Sequence, residues 1–214
     1  MIILFASNKG GVGKTTTAIN TAIWLQRNGK KVSIIKADKN DDLFDFVETR
    51  RALGADLPVT EQFGDLTQAI NQANKKYDYV IVDCAGHDSV EFRTALQVCD
   101  VYLCLVKPSS DFETGSLLKV TETVRRVQSI NTKLRPFIVM TRVRPQRFDK
   151  VIKLREVLQS DSGWIQPTKN YLSELLIFED ACNSGVGVHE FTAGASLGKA
   201  KAQIELLCAE TGIL

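Results

Sequence analysis

Lys9-Gly10-Gly11-Val12-Gly13-Lys14-Thr15-Thr16 follows a short apolar run, Ile2 to Ala6, and opens a segment, Thr15 to Gln26, that reads as a helix. A strand, a glycine turn and a helix N-terminus in that order make an anion cradle. Backbone N–H groups converge on the anion, and the helix dipole favours its negative charge. The glycines permit positive φ and let the chain approach phosphate oxygens with no Cβ in the way. A lysine and a hydroxyl at the helix start, Lys14 and Thr15, are placed for β/γ-phosphates and for Mg²⁺. The chemistry implied is that of a nucleoside triphosphate.

Alternating strand and helix signals continue outward from this loop. Strands are expected at Ile2–Ala6, Lys31–Lys36, Tyr79–Val82, Val101–Val106 and Phe137–Met140, with a short last strand at Trp164-Ile165. Helices are expected at Thr15–Gln26, Asp41–Leu53, Gly64–Lys75, Val90–Val98, Phe112–Ile130, Phe148–Leu158, Tyr171–Ala181 and Leu197–Thr211. Continuously apolar strands alternating with helices indicate an α/β fold, a mostly parallel twisted sheet covered on both faces. Ligands of such sheets sit at the carboxyl ends of the strands, where the glycine loop and Asp83 both fall. No repeat, low-complexity tract or linker divides the chain, so residues 1–214 are expected to form a single domain.

Composition narrows the function classes. With 44% hydrophobic and 24% charged residues the chain is ordinary for a globular protein, and no apolar run reaches the length of ~18 residues that a membrane span needs. A signal peptide is not visible, because the apolar start runs straight into the glycine loop. Cys84, Cys99, Cys104, Cys182 and Cys208 form no C-x-x-C pair, so reduced and mostly buried thiols in a cytoplasmic protein are expected. His87 and His189 have no ligand-like spacing. The net charge of +2 hides an asymmetry: Lys119 to Arg155 holds eleven Lys/Arg against Glu122 and Asp149. That segment carries +9 and the remainder −7.

The glycine loop departs from G-x-x-x-x-G-K-[ST]: Asn8 stands at the first glycine position, followed by a second lysine, Lys9. In this it resembles the deviant Walker-A ATPases of the ParA/MinD family, whose signature is K-G-G-x-G-K-[ST]. The resemblance implies an ATP/ADP site with Mg²⁺ built on Lys9, Gly10, Gly11, Val12, Gly13, Lys14, Thr15 and Thr16. It makes Lys14 the lysine of the subunit's own nucleotide and Lys9 the one that reaches the partner's nucleotide in an ATP-bound homodimer.

Three further stretches carry the likeness. Tyr79-Val80-Ile81-Val82-Asp83 resembles a Walker-B strand, with Asp83 and Thr15 near Mg²⁺ and Gly86 at the place of a D-x-x-G switch glycine. Asp38, in Ala37-Asp38-Lys39-Asn40, aligns with the aspartate that orients the attacking water close to the metal. Lys36 stands where relatives have an earlier Asp, and Lys39-Asn40 replaces Pro-Gln. Leu105 to Phe112 resembles the P-V-x-P-S-x-x-D turn. Thr141, Arg142 and Pro167 fall where relatives approach the base.

The basic segment points to one branch of that family. Arg144, Arg147, Lys150, Lys153 and Arg155 are candidates for binding DNA without sequence preference. The resemblance to short ParF-type partition ATPases implies a nucleoid-associated switch whose slow hydrolysis is stimulated by a centromere-binding or cargo-adaptor protein, moving plasmid or chromosome cargo. The alternatives are ATPases that position protein cargo such as carboxysomes or chemoreceptor arrays, and a membrane-associated MinD-like ATPase. Ala200–Leu214 is poor in cations, so no membrane contact is expected there.

Overall fold

A computed structural model of the chain describes residues 1–86, 89–108 and 112–214, with the side chains of 112–114 set aside. His87 lies outside the described residues, as do Ser109, Ser110 and Asp111 of the expected turn.

Six strands, β1 (Ile2–Ser7), β2 (Val32–Ala37), β3 (Val59–Glu61), β4 (Tyr79–Ala85), β5 (Val101–Val106) and β6 (Arg135–Met140), form one sheet in the order β3-β2-β4-β1-β5-β6. Every pairing in it is parallel. Among the described residues, eight α-helices connect and cover them: α1 (Lys14–Arg27), α2 (Asp42–Ala52), α3 (Thr67–Asn74), α4 (Val90–Val98), α5 (Phe112–Gln128), α6 (Phe148–Gln159), α7 (Leu176–Asn183) and α8 (Leu197–Thr211).

Alternation along the strands divides the core in two. Ile3 and Phe5 of β1 face α1, α2, α7 and α8, where Ile23, Phe46, Phe178 and Ile204 are buried. Ile2, Leu4 and Ala6 face α3, α4, α5 and α6, where Ile70, Phe92, Val124 and Val151 are buried. Every residue of β1, β2 and β5 is buried, as strands covered on both faces require.

The differences from the sequence expectation lie at the margins. β3 is short and half-polar, Val-Thr-Glu, and carries no strand signal of its own; it exists because it pairs with Ile34–Lys36 of β2. Trp164-Ile165 is no strand: the chain just beyond it touches β6 through the bridge Ile138↔Pro167, and Ser173 later bridges Val143, past the end of β6. The helix expected from Tyr171 begins instead at Leu176, because residues 172–174 are held extended by Leu172 N–H to Met140 O and Glu174 N–H to Val143 O.

The register sets the site. Lys36↔Asp83 and Phe5↔Asp83 are neighbours across β2-β4-β1, so the carboxyl ends of the three central strands finish at one level. The glycine loop, Asp38 and Asp83 therefore meet at one edge of the sheet.

Candidate functional site

The loop closes on itself before it can close on anything else. Ser7 Oγ donates to the Lys9 carbonyl at 2.9 Å, and Gly11 and Gly13 take positive φ, 71° and 84°. Gly13 is the N-cap of α1 and offers no side chain, so the first N–H groups of that helix have no side-chain cap. Asn8, at the position of the usual first glycine, donates to the Ser116 carbonyl at 3.0 Å and fastens the loop to α5. Gly86 has its own reason to be glycine: a Cβ there would fall on the backbone of Ser7.

Lys14, Thr15, Asp38 and Asp83 converge in front of the loop. The Lys14 ammonium lies 2.6 Å from Asp83 Oδ1 and 2.8 Å from Asp38 Oδ2. Thr15 Oγ1 donates to the other oxygen of Asp83 at 2.8 Å. Burial of Lys14 works against its charge, but Asp83 and then Asp38 hold its pKa above the usual lysine value. Burial likewise raises Asp38, and the hydrogen bond and charge of Lys14 outweigh it, leaving that carboxyl below the ordinary range. The Lys14–Asp38 pair is thus ionised throughout the neutral range. Thr15 Oγ1 beside the nearly inaccessible carboxylate of Asp83 is a hard-oxygen pair of the kind Mg²⁺ takes while keeping most of its water; the donor chemistry fits the metal.

A cleft of about 710 Å³ opens here, lined by Lys9, Lys14, Thr15, Asp38 and Gly86 among others. That is the size range of a small-molecule site. Lys9 is exposed on its rim. Val12 is buried beneath the loop, and Thr16 is shared between this cleft and an adjoining recess.

That recess corresponds to the expected base site, with differences. Thr141 is buried, and its hydroxyl donates to the Val12 carbonyl at 2.7 Å, so it anchors the loop and reaches the recess only as wall. Arg142 has φ 51°, a left-handed conformation rare for a residue with a Cβ. It donates to the Gly11 carbonyl at 3.2 Å, to Glu174 at 3.2 Å and to Glu179 at 2.9 Å. Pro167 is not part of the wall; it pairs with Ile138 halfway along β6. Its place is taken by Leu172, Ser173, Glu174 and Leu175. Sequence reasoning missed these residues and Phe178 and Glu179, because it read the segment as a helix from Tyr171 and no motif there marks a site.

Lys36, which replaces an aspartate of the resembling pattern, is buried and paired with Glu61 at 2.5 Å and Asp41 at 3.9 Å, over the Phe44 ring. Its charge is met by these acids, and Asp38 keeps Lys14 as its partner.

The basic segment does not lie on one free face. Arg125 donates to the carbonyls of Ser162, Gly163 and Trp164 and closes a loop. Arg155 is turned inward to the carbonyls of Thr168 and Lys169, with its Nε buried, which removes it from the DNA-binding candidates. Arg144, Arg147 and Lys153 are exposed and Lys150 half-buried. Acids from outside the segment, Glu174 and Glu179, supply the counter-charge that its own sequence lacks.

Comparison with known proteins agrees with this geometry. The family described as the CobQ/CobB/MinD/ParA nucleotide binding domain matches residues 3–164. The chain is 29% identical to the septum site-determining protein MinD of Synechocystis over 176 residues, 64% of this chain and 66% of that one. It is 28% identical to the maintenance of carboxysome distribution protein A of Halothiobacillus neapolitanus over 144 residues, 66% of each chain. The matched stretches thus fall just short of two thirds of these relatives' length. Among solved structures, a plasmid partition protein of Borrelia burgdorferi bound to AMPPNP superposes with a TM-score of 0.70 at 21% identity, covering 97% of this chain and 98% of that one. At that identity the likeness speaks for the fold.

Proposed function

The chain belongs to the CobQ/CobB/MinD/ParA nucleotide-binding family, and from that premise we propose that it is an ATP-hydrolysing switch whose ATP-bound homodimer binds DNA without sequence preference and moves plasmid or chromosome cargo. The observation that carries the reading is the convergence of Lys14, Thr15, Asp38 and Asp83 in front of an uncapped helix N-terminus.

Incoming β/γ-phosphates compete with Asp38 and Asp83 for the Lys14 ammonium. When Lys14 turns to the phosphate oxygens, both carboxylates lose their cation. Asp83 and Thr15 would hold Mg²⁺, which would supply positive charge against the developing phosphate charge, and Asp38 orients the attacking water. Phosphoryl transfer of this kind rests on positioning and charge neutralisation. Lys9, exposed at the rim of the cleft, extends to the nucleotide of a second subunit, so ATP holds the halves together and hydrolysis releases them. A centromere-binding or cargo-adaptor protein accelerates the step; supplying a positive charge in trans is worth ~10³–10⁵ in rate in comparable enzymes.

Two observations favour DNA over a membrane as the surface. Arg144, Arg147, Lys150 and Lys153 lie close together in sequence, from the end of β6 into α6. Helix α8 buries Ile204, Leu207 and Cys208 in the core, so its apolar face is not available to lipid.

Asp38→Ala tests the site. It is expected to bind ATP and lose turnover by on the order of 10²-fold, the size of effect that loss of positioning produces. Unchanged turnover in a direct phosphate-release assay would remove Asp38 from the mechanism.

A further inference from the structure

Beside the recess lies a second concavity of about 190 Å³, lined by Lys107, Pro108, Arg142, Val143, Arg144 and Arg147. Its cations come from two adjacent strand ends: Lys107 directly follows β5, and Arg142, Arg144 and Arg147 follow β6. One carboxylate, Glu174, meets three of them: Arg144 Nε, Arg142 Nε at 3.2 Å and Lys107 Nζ at 4.0 Å. Its position is fixed by the main chain, since Glu174 N–H donates to the Val143 carbonyl, between the two arginines. The Glu174 side chain is 19% exposed, whereas that of Arg144 is 59% exposed. The hydrogen bond from Arg144, with that from Arg142, holds the Glu174 carboxyl below the ordinary range despite partial burial, so it is charged at neutral pH. The same carboxylate is also wall of the recess beside the glycine loop.

We propose that this groove is a phosphodiester subsite for DNA and that Glu174 occupies it as an internal counter-ion, which a DNA phosphate must displace from Arg144. The inference rests on the DNA-binding reading above and adds where the phosphate sits and what opposes it. Lys107, Arg142 and Arg144 meet two acids, Glu174 and, through Arg142, Glu179, and Arg147 adds a fourth cation, so the groove stays net positive, which favours an incoming anion. Glu174 pairs with the most exposed of its three cations, Arg144, which weakens DNA binding until it lets go. Because Glu174 touches both Arg142, which also bonds the Gly11 carbonyl of the glycine loop, and Arg144, a ligand that engages Arg142 alters the partner set of the carboxylate that blocks the groove.

Glu174→Gln keeps the shape and removes the charge. One further phosphate contact steepens the slope of log K against log salt by about 0.9, equivalent to roughly eightfold tighter binding at 0.1 M salt. Fluorescence anisotropy with a labelled duplex of arbitrary sequence, without nucleotide and with AMP-PNP, is expected to show that gain for Glu174→Gln in the AMP-PNP state. In Glu174→Gln/Arg144→Ala the gain is lost, since it passes through Arg144. A binding-competent wild-type protein with Glu174→Gln unchanged or weaker would overturn the counter-ion role and leave the DNA-binding reading standing. A gain that survives removal of Arg144 would overturn the assigned contact. No binding by wild type or Glu174→Gln in either nucleotide state would overturn the function reading and this inference with it.

Discussion

Lys14 stands between two carboxylates, at 2.6 and 2.8 Å, and a nucleotide must draw it away from both. Raised and lowered pKa values on the two sides of the Lys14–Asp38 pair make this arrangement insensitive to pH over the neutral range. The Asp38 contribution is complete above the ordinary aspartate value of 3.8 and is lost as pH falls through its lower folded value. The Lys14 contribution is complete below 10.5 and is lost as pH rises through its higher one. Lys9 has a different position, exposed on the rim of the cleft rather than inside it. Lys9→Ala is therefore expected to leave a folded, nucleotide-binding monomer that no longer dimerises with AMP-PNP in size-exclusion chromatography with light scattering. A dimer of wild-type strength would contradict the trans role given to this lysine.

At the scale of elements, the wall of the nucleotide cleft depends on how α7 and α8 are tied to the rest. Arg50 of α2 makes two hydrogen bonds to Glu190, at 2.8 and 3.0 Å, and a third to the Gly185 carbonyl, clasping α2 to the α7–α8 connection. Gly185 and Gly187 are glycines for this closeness: a Cβ would strike Thr49–Arg50 in the first case and Ile23 in the second. Gln203 of α8 holds Ser173 by both its amide groups, and Glu210 accepts from Lys169 and Asn170, so α8 fixes the segment that forms the recess. Burial raises Glu190 and the Arg50 hydrogen bond outweighs it, leaving the carboxyl below its ordinary 4.5. Glu190→Gln leaves the Arg50 guanidinium buried with its charge unmet, expected to cost about 3 kcal/mol at pH 7 in urea unfolding. The difference from wild type should shrink as pH falls below 4.5 through the folded value of Glu190, where wild type loses the same charge. A difference independent of pH would show that packing, not the ion pair, holds the clasp.

What could be read from sequence at this scale followed local signal. The glycine loop, the buried β-branched run before Asp83 and the periodic helices α4 and α8 carry their own pattern and lie where the residues indicate. β3 and the extended stretch 172–174 do not, because each is made by hydrogen bonds to a distant strand. The same holds for the site. That Lys14, Thr15 and Asp83 would meet was legible from the motifs, and Asp38 from the resemblance, whereas Glu174 and Glu179 carry no motif: Glu174 is placed by its long-range bond to Val143 and Glu179 by α7. Arg155 was misleading for the complementary reason: charge is visible in a sequence, but the carbonyls that capture it are not.

For the molecule as a whole, charge is distributed by position on the sheet. Residues 119–155 hold eleven of the 27 Lys/Arg against two acids. With Arg125 and Arg155 assigned to loop carbonyls, the exposed Arg144, Arg147 and Lys153 lie after β6 and on α6, while Lys119 and Arg126 lie on α5, Lys133 just before β6 and Arg135 at its start. In a dimer two such faces would act together, which makes DNA affinity depend on nucleotide through the number of cations presented at once. The most direct test is binding of the wild-type protein to a duplex of arbitrary sequence with no nucleotide, ADP or AMP-PNP, at 50 and 200 mM salt. The account predicts binding that requires AMP-PNP and that falls by roughly a hundredfold between the two salts if about four phosphates are contacted. Absence of DNA binding in every nucleotide state, or binding of equal strength in all of them, would contradict it.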